Sequence, residues 1–182
     1  MIIFRCNASP EVGLGHLVRC RALACALKRQ GGSCVMVGPP KSYATEEDAE
    51  FIEDWIEAGD WVSAEQDAAR FAAIVRDRSA RFAVLDDYRV DADYQKLLSA
   101  KGLHWLQFDG TAQKPLWADL VVNANPAARA ADYRDVIHNP AAQLLLGPAY
   151  AVLRAEFPPV AALRPVGRPI EQVLVWLGGG GL

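Results

Sequence analysis

The 182-residue sequence predicts an α/β fold in which a parallel sheet carries helices on both faces. Three observations lead there. Short runs rich in β-branched and aromatic residues alternate with helical patterns along the chain. Several of these runs are unbroken apolar blocks, as strands buried on both faces require. The first run passes through a loop holding Gly13 and Gly15 directly into a helical pattern.

Taken in order, strands are expected at Ile2–Arg5, Ser33–Val37, Trp61–Ser63, Phe82–Leu85, His104–Phe108, Leu120–Val122, Gln143–Leu146 and Val173–Leu177. The first helix is expected over Gly15–Gln30. Leu17, Cys20, Leu23, Ala24 and Leu27 recur there at three- and four-residue steps, and Gly31-Gly32 ends it. Further helices are expected over Glu46–Ala58, Ala64–Arg78 and Asp91–Lys101, the last two started by Ser63 and Val90-Asp91. After Tyr150 the texture changes. Prolines at 158, 159, 165 and 169, with Gly167, preclude a sustained helix or central strand and read as a linker. A strand-and-glycine-loop pattern follows, Gln172 to Gly181, which reads as the start of a second domain; the alternative is an edge strand returning to the first sheet. The expected organisation is a first domain at 1–157, a linker at 158–171 and the opening of a second domain at 172–182.

The net charge of −3, with Lys and Arg scattered among acids, argues against nucleic acid as a partner. No apolar run approaches a membrane span, and the chain opens on a strand in place of a basic leader. A soluble, cytoplasmic protein acting on a small molecule is the expectation. The four cysteines, Cys6, Cys20, Cys25 and Cys34, have no metal-ligand spacing and read as reduced core residues. His104 and His138 read as packing or surface residues.

The opening loop carries the chemistry. A strand running through glycines into a helix offers backbone N–H groups to an anion. The third glycine of a dinucleotide fingerprint is replaced by Val18, and the Gly-Lys-Ser/Thr of a nucleotide-hydrolase loop is absent. What the stretch does contain is His16 on the first helical turn, with Arg5, Ser9 and Arg19 close by in sequence. The positive end of the helix macrodipole disfavours imidazolium there, so the ring is expected to be available to accept a proton. The amides of Gly13, Leu14 and Gly15, with Arg5 or Arg19, are the expected anion ligands. Adjacent Asp86 and Asp87 raise the possibility of a divalent-cation site, disfavoured because no third carboxylate is placed to help.

Three ordered motifs then stand together: the loop Phe4–Cys20, the run Val84-Leu85-Asp86-Asp87-Tyr88-Arg89 through Tyr94, and the run Leu145-Leu146-Gly147-Pro148 through Phe157. With Asp119-Leu120-Val121-Val122-Asn123 in its expected place and Leu174–Gly179 like the opening of a second domain, the whole chain resembles the UDP-sugar hydrolases of pseudaminic acid biosynthesis. The resemblance implies a Rossmann-like N-terminal half of a GT-B-like two-domain protein. It also implies hydrolysis of a UDP-linked diacetamido-trideoxy hexose to UDP and free sugar, with inversion, and with neither metal nor cofactor. It places the catalytic histidine on His16 and an Asp-x-Tyr motif on Asp86–Tyr88, making Tyr88 a second catalytic candidate. Asp87 and Asn123 join Ser9, the loop amides and the two arginines as substrate-binding candidates. The chain departs from the family at Asn7, commonly aspartate, at Asp87, and at Arg89, commonly glycine; Arg89 is expected to narrow or recharge the sugar pocket. A glycosyltransferase of the same fold, and a half-protein that only binds a sugar or a partner, are the alternatives. With most uridine contacts expected in the second domain, residues 1–182 alone are expected to bind UDP weakly and to lack useful activity.

Overall fold

In the computed structural model, residues 1–157 and Val173 are described. Seven strands, β1 (Ile2–Cys6), β2 (Cys34–Gly38), β3 (Asp54–Glu57), β4 (Phe82–Asp86), β5 (Trp105–Phe108), β6 (Leu120–Asn123) and β7 (Gln143–Leu146), form one sheet. Its order is β3-β2-β1-β4-β5-β6-β7 and every pairing is parallel. The strand order reverses between β1 and β4. The chain therefore leaves those two strands in opposite directions, opening a crevice at their carboxyl ends.

Three helices cover the sheet: α1 (Gly15–Arg29), α2 (Ala64–Asp77) and α3 (Ala92–Ala100). Strand alternation divides the core in two. Ile3, Val35, Ala83, Leu85, Trp105 and Val121 pack against α2 and α3, through Phe71, Val75, Tyr94 and Leu98. Phe4, Cys6, Met36, Val84 and Val122 pack against α1, through Leu17, Cys20 and Ala24. Both faces are thus covered, as expected. Burial of each large apolar side chain here contributes roughly 1.5–3 kcal/mol.

The ends of the helices follow from local chemistry. Ser63 Oγ accepts from Gln66 N–H at the start of α2, and Asp91 Oδ1 accepts from Tyr94 N–H at the start of α3. Lys28 and Arg29 complement the carboxyl end of α1. There Gly31, at φ +81°, lets Gly32 N–H return to Leu27 O.

One region differs from expectation. Glu46–Ala58 is a single 3₁₀ turn, Glu46–Glu50, followed by β3, and the expected strand Trp61–Ser63 is a loop. Tertiary contacts override the helix-favouring acidic run. Arg21 of α1 grips Asp48 through two hydrogen bonds of 2.7 Å, and Trp55 Nε1 donates to Pro39 O at 2.9 Å, laying Asp54–Glu57 along β2. Trp61 is a stacking platform instead, its ring nearly parallel to Tyr94 at 6.0 Å. The expected linker and second-domain start lie, apart from Val173, outside the described residues, as does the expected strand Val173–Leu177 beyond its first residue.

Candidate functional site

A cleft of about 300 Å³ opens at the carboxyl ends of β4 and β5. His16, Arg19, Asp86, Asp87 and Tyr88 line one side, and Gln107, Phe108, Asp109, Thr111 and Lys114 the other. It sits beside the β1/β4 reversal, where such sheets bind ligands.

His16 is 5 % exposed, and its Nδ1 lies 2.6 Å from Asp86 Oδ1. A carboxylate only accepts, so Nδ1 carries a proton, and in the neutral ring Nε2 is the acceptor nitrogen. Asp86 is also held by Arg19, whose Nε and Nη2 donate at 2.7 and 2.5 Å. The Arg19 guanidinium in turn lies 4.4 Å over the Phe108 ring. Burial opposes the charge on Arg19, but the hydrogen bond and charge of Asp86 outweigh it and strengthen its hold on the proton. Tyr88 stands edge-on to the imidazole, centroids 4.4 Å apart, and is 73 % exposed. Lys114 Nζ donates to Tyr88 O at 2.8 Å, fixing the backbone of that turn.

The start of α1 is uncapped. Leu14 occupies the cap position with no side-chain hydrogen bond, and the first turn holds no acid. The first backbone bond is Val18 N–H to Leu14 O, so the amides of Gly15, His16 and Leu17 have no helical acceptor. Gly13 contributes otherwise. At φ +79° it closes a turn by donating N–H to Ser9 O at 2.8 Å, so that amide is already used. Ser9 Oγ donates to Glu11 at 2.7 Å and accepts from Val12 N–H, which commits it to the same turn.

Arg5 does not reach the cleft. It is 1 % exposed on the α2/α3 side of the sheet, where Nε and Nη2 bond Asp67 at 2.9 and 3.1 Å and Nη1 meets Asp87 Oδ2 at 3.1 Å. Tyr94 OH donates to Asp67 at 3.1 Å, and burial pushes that hydroxyl well above its usual range. Burial opposes the Arg5 charge, but the Asp67 hydrogen bond and the surrounding acids outweigh it. Gly38, at φ +127°, makes room for this guanidinium, since a Cβ there would collide with Cys6 O and Arg5 Nη1.

Asp87 belongs to both places, lining the cleft while its oxygens bind Arg5 and Arg89. Burial raises its carboxyl, yet the Arg89 hydrogen bonds and the Arg5 charge hold it below the ordinary value. Arg89, expected to recharge the sugar pocket, instead folds back onto Asp87 and lies 4.3 Å over Trp61. Asn123 also sits behind the cleft. It donates to Tyr133 OH at 2.9 Å and accepts from Asn125 N–H, and Tyr133 OH donates to Asp109 at 2.7 Å. Asp86, raised from sequence as a metal ligand beside Asp87 and as the first residue of the Asp-x-Tyr motif, is the central acceptor of the site. Its separation from Asp87 follows from alternation along β4, which turns adjacent side chains to opposite faces.

The remaining sequence expectations concern residues away from the cleft. His104 bonds Asp119 at the surface and His138 stacks on Trp117 at 4.4 Å. All four cysteines are free thiols, and Cys6, Cys20 and Cys34 are buried. Among the described residues no helix is long and apolar enough to cross a membrane. A second groove, about 280 Å³ between α1 and Thr45–Phe51, has its Arg21 and Asp48 bound to each other and contains no histidine.

No family model matches the chain. The UDP-2,4-diacetamido-2,4,6-trideoxy-beta-L-altropyranose hydrolase of Campylobacter jejuni is 23% identical over 157 residues, covering 86% of this chain and 53% of that protein. The crystal structure of MurG from Acinetobacter baumannii matches with a TM-score of 0.54 at 13% identity, over 86% of this chain and 47% of its own. The chain spans about half the length of each. The fold is the Rossmann-like N-terminal half of a GT-B-like architecture, and in sequence the chain is similar to a UDP-sugar hydrolase of pseudaminic acid biosynthesis.

Proposed function

We propose that this chain is the sugar-side half of a hydrolase that cleaves a UDP-linked diacetamido-trideoxy hexose, with inversion at the anomeric carbon. The observation that carries the reading is the His16–Asp86 pair on the wall of the cleft, with Nδ1 held at 2.6 Å and Nε2 left as acceptor. Nε2 takes a proton from water as its oxygen bonds the anomeric carbon, and the bond from that carbon to the diphosphate oxygen breaks, the electron pair leaving with UDP. Asp86 is the positioning residue. It fixes the tautomer and stabilises the imidazolium that forms. Arg19 donates to both carboxylate oxygens of Asp86 and holds it in place against the imidazole. The uncapped amides of Gly15, His16 and Leu17 are the donors proposed for charge developing on the leaving diphosphate. Tyr88, edge-on to the imidazole, is the group proposed to border the water and the sugar.

The test uses the gene product that carries this chain, incubated with the UDP-diacetamido-trideoxy hexose with and without a sugar acceptor. UDP and free sugar should appear without acceptor. His16→Ala and Asp86→Asn should each lower kcat by about 10²–10⁴-fold, with Asp86→Asn leaving KM nearly unchanged. Product that forms only with acceptor, or near-normal turnover by His16→Ala, overturns the reading.

A further inference from the structure

Two glutamines are buried near the cleft, and they differ in one respect. Gln95 has both ends of its amide in use: Nε2 donates to Pro115 O at 2.9 Å and Oε1 accepts from Trp117 N–H at 3.0 Å. That amide ties α3 to the chain entering β6. Gln107 is 6 % exposed, lines the cleft, and has a carbonyl oxygen with no donor among the described residues. Ser33 Oγ and Trp105 Nε1 share that condition, but neither lines the cleft.

An orphaned buried carbonyl is costly, and its β-ladder neighbours are Leu85 and Val121, both apolar. The fold alone gains nothing from an amide at this position. Its surroundings are fixed. Asp109, two residues on, accepts from Tyr133 OH, Thr111 N–H and Ala112 N–H, which holds the following loop as a firm wall. The terminal torsion of a glutamine is soft and roughly two-fold. Rotation about it presents either the carbonyl or the NH₂ to the cleft without moving β5.

We infer that Gln107 is a specificity-determining residue that reads an acylamino substituent of the sugar, its carboxamide pairing with the substrate's secondary amide. The inference rests on the reading of the cleft as the sugar site. A secondary amide offers one N–H and one C=O, the complement of what a carboxamide presents. A hydroxyl at the same carbon engages one of the two. Binding satisfies the atom that folding leaves unmet, so discrimination is gained where stability is forgone.

The experiment compares the gene product that carries this chain with its Gln107→Met and Gln107→Glu variants. The substrates are the UDP-diacetamido-trideoxy hexose and its analogue with hydroxyls in place of acetamido groups. Gln107→Met should lose about tenfold or more in kcat/KM for the acetamido substrate, lose distinctly less for the analogue, and melt at the same or a higher temperature. Gln107→Glu, which keeps acceptors and loses the NH₂ donor, should recover part of the discrimination. Equal effects on both substrates, or none, overturn the assignment of Gln107 alone. Wild-type turnover of neither substrate overturns the hydrolase reading and this inference with it.

Discussion

Two arginine–carboxylate assemblies stand at the ends of β1 and β4, on opposite faces of the same sheet, and they are finished to different degrees. On the α2/α3 side Arg5, Asp67, Asp87, Tyr94 and Arg89 consume one another's hydrogen-bonding capacity, with Arg5 and Tyr94 fully enclosed. On the α1 side Asp86 collects Nδ1 of His16 and two donors of Arg19, while His16 Nε2 stays uncommitted beside the cleft. The closed assembly fixes the turn that carries Tyr88. The open one holds the imidazole on which the proposed hydrolysis depends. Charge content does not separate the two; a vacant valence at the cleft does.

The largest effect should come from breaking the closed assembly. Asp67→Ala leaves Arg5 buried with only Asp87 to answer it, and should cost about 3–5 kcal/mol, read as a drop in denaturation midpoint. A loss no larger than that of an exposed ion pair would show that Asp67 contributes nothing beyond packing.

A smaller effect sharpens the comparison through pH. The folded Asp87 carboxyl lies below its ordinary value of 3.8, because Arg89 and Arg5 outweigh its burial. Its stabilising contribution is therefore complete above the ordinary value and is lost as pH falls through the lowered one. Urea denaturation from about pH 7 down to about pH 2 should show Asp87→Asn less stable near neutrality. The two curves should converge in acid, and parallel curves would contradict this linkage.

The smallest effect belongs to Tyr88, at 73 % exposure. Tyr88→Ala should change stability by under about 0.5 kcal/mol while lowering turnover. A large stability loss would make Tyr88 part of the scaffold.

Much of the architecture could be read from the sequence because local signals and tertiary demands agree. The apolar blocks at β1, β2 and β4 to β7, the α1 stripe, and the caps Ser63 and Asp91 all appear where expected. The segment from Glu46 to Ser63 could not be read that way. Its acidic run favours helix locally, whereas Arg21, 27 residues before Asp48 and on the facing helix α1, binds that carboxylate and holds the segment in another shape. His16, Arg19, Asp87 and Tyr88 were visible as candidates, and all four line the cleft. Arg5, a candidate anion ligand by its nearness to the loop in sequence, lies away from the cleft because of strand parity: with Ile3 it faces α2 and α3, whereas Phe4 and Cys6 face α1. The same count applied to β4 places Asp86 with Val84, on the side of α1 and His16. Gln107 left no signal at all, since an unmet carbonyl is visible only once its neighbours are in place.

The parity of β4 has a further result. Consecutive aspartates perform unlike tasks only because the pleat points them apart, so lengthening or shortening that strand by one residue would exchange their partners. The reading frame of this strand is therefore locked.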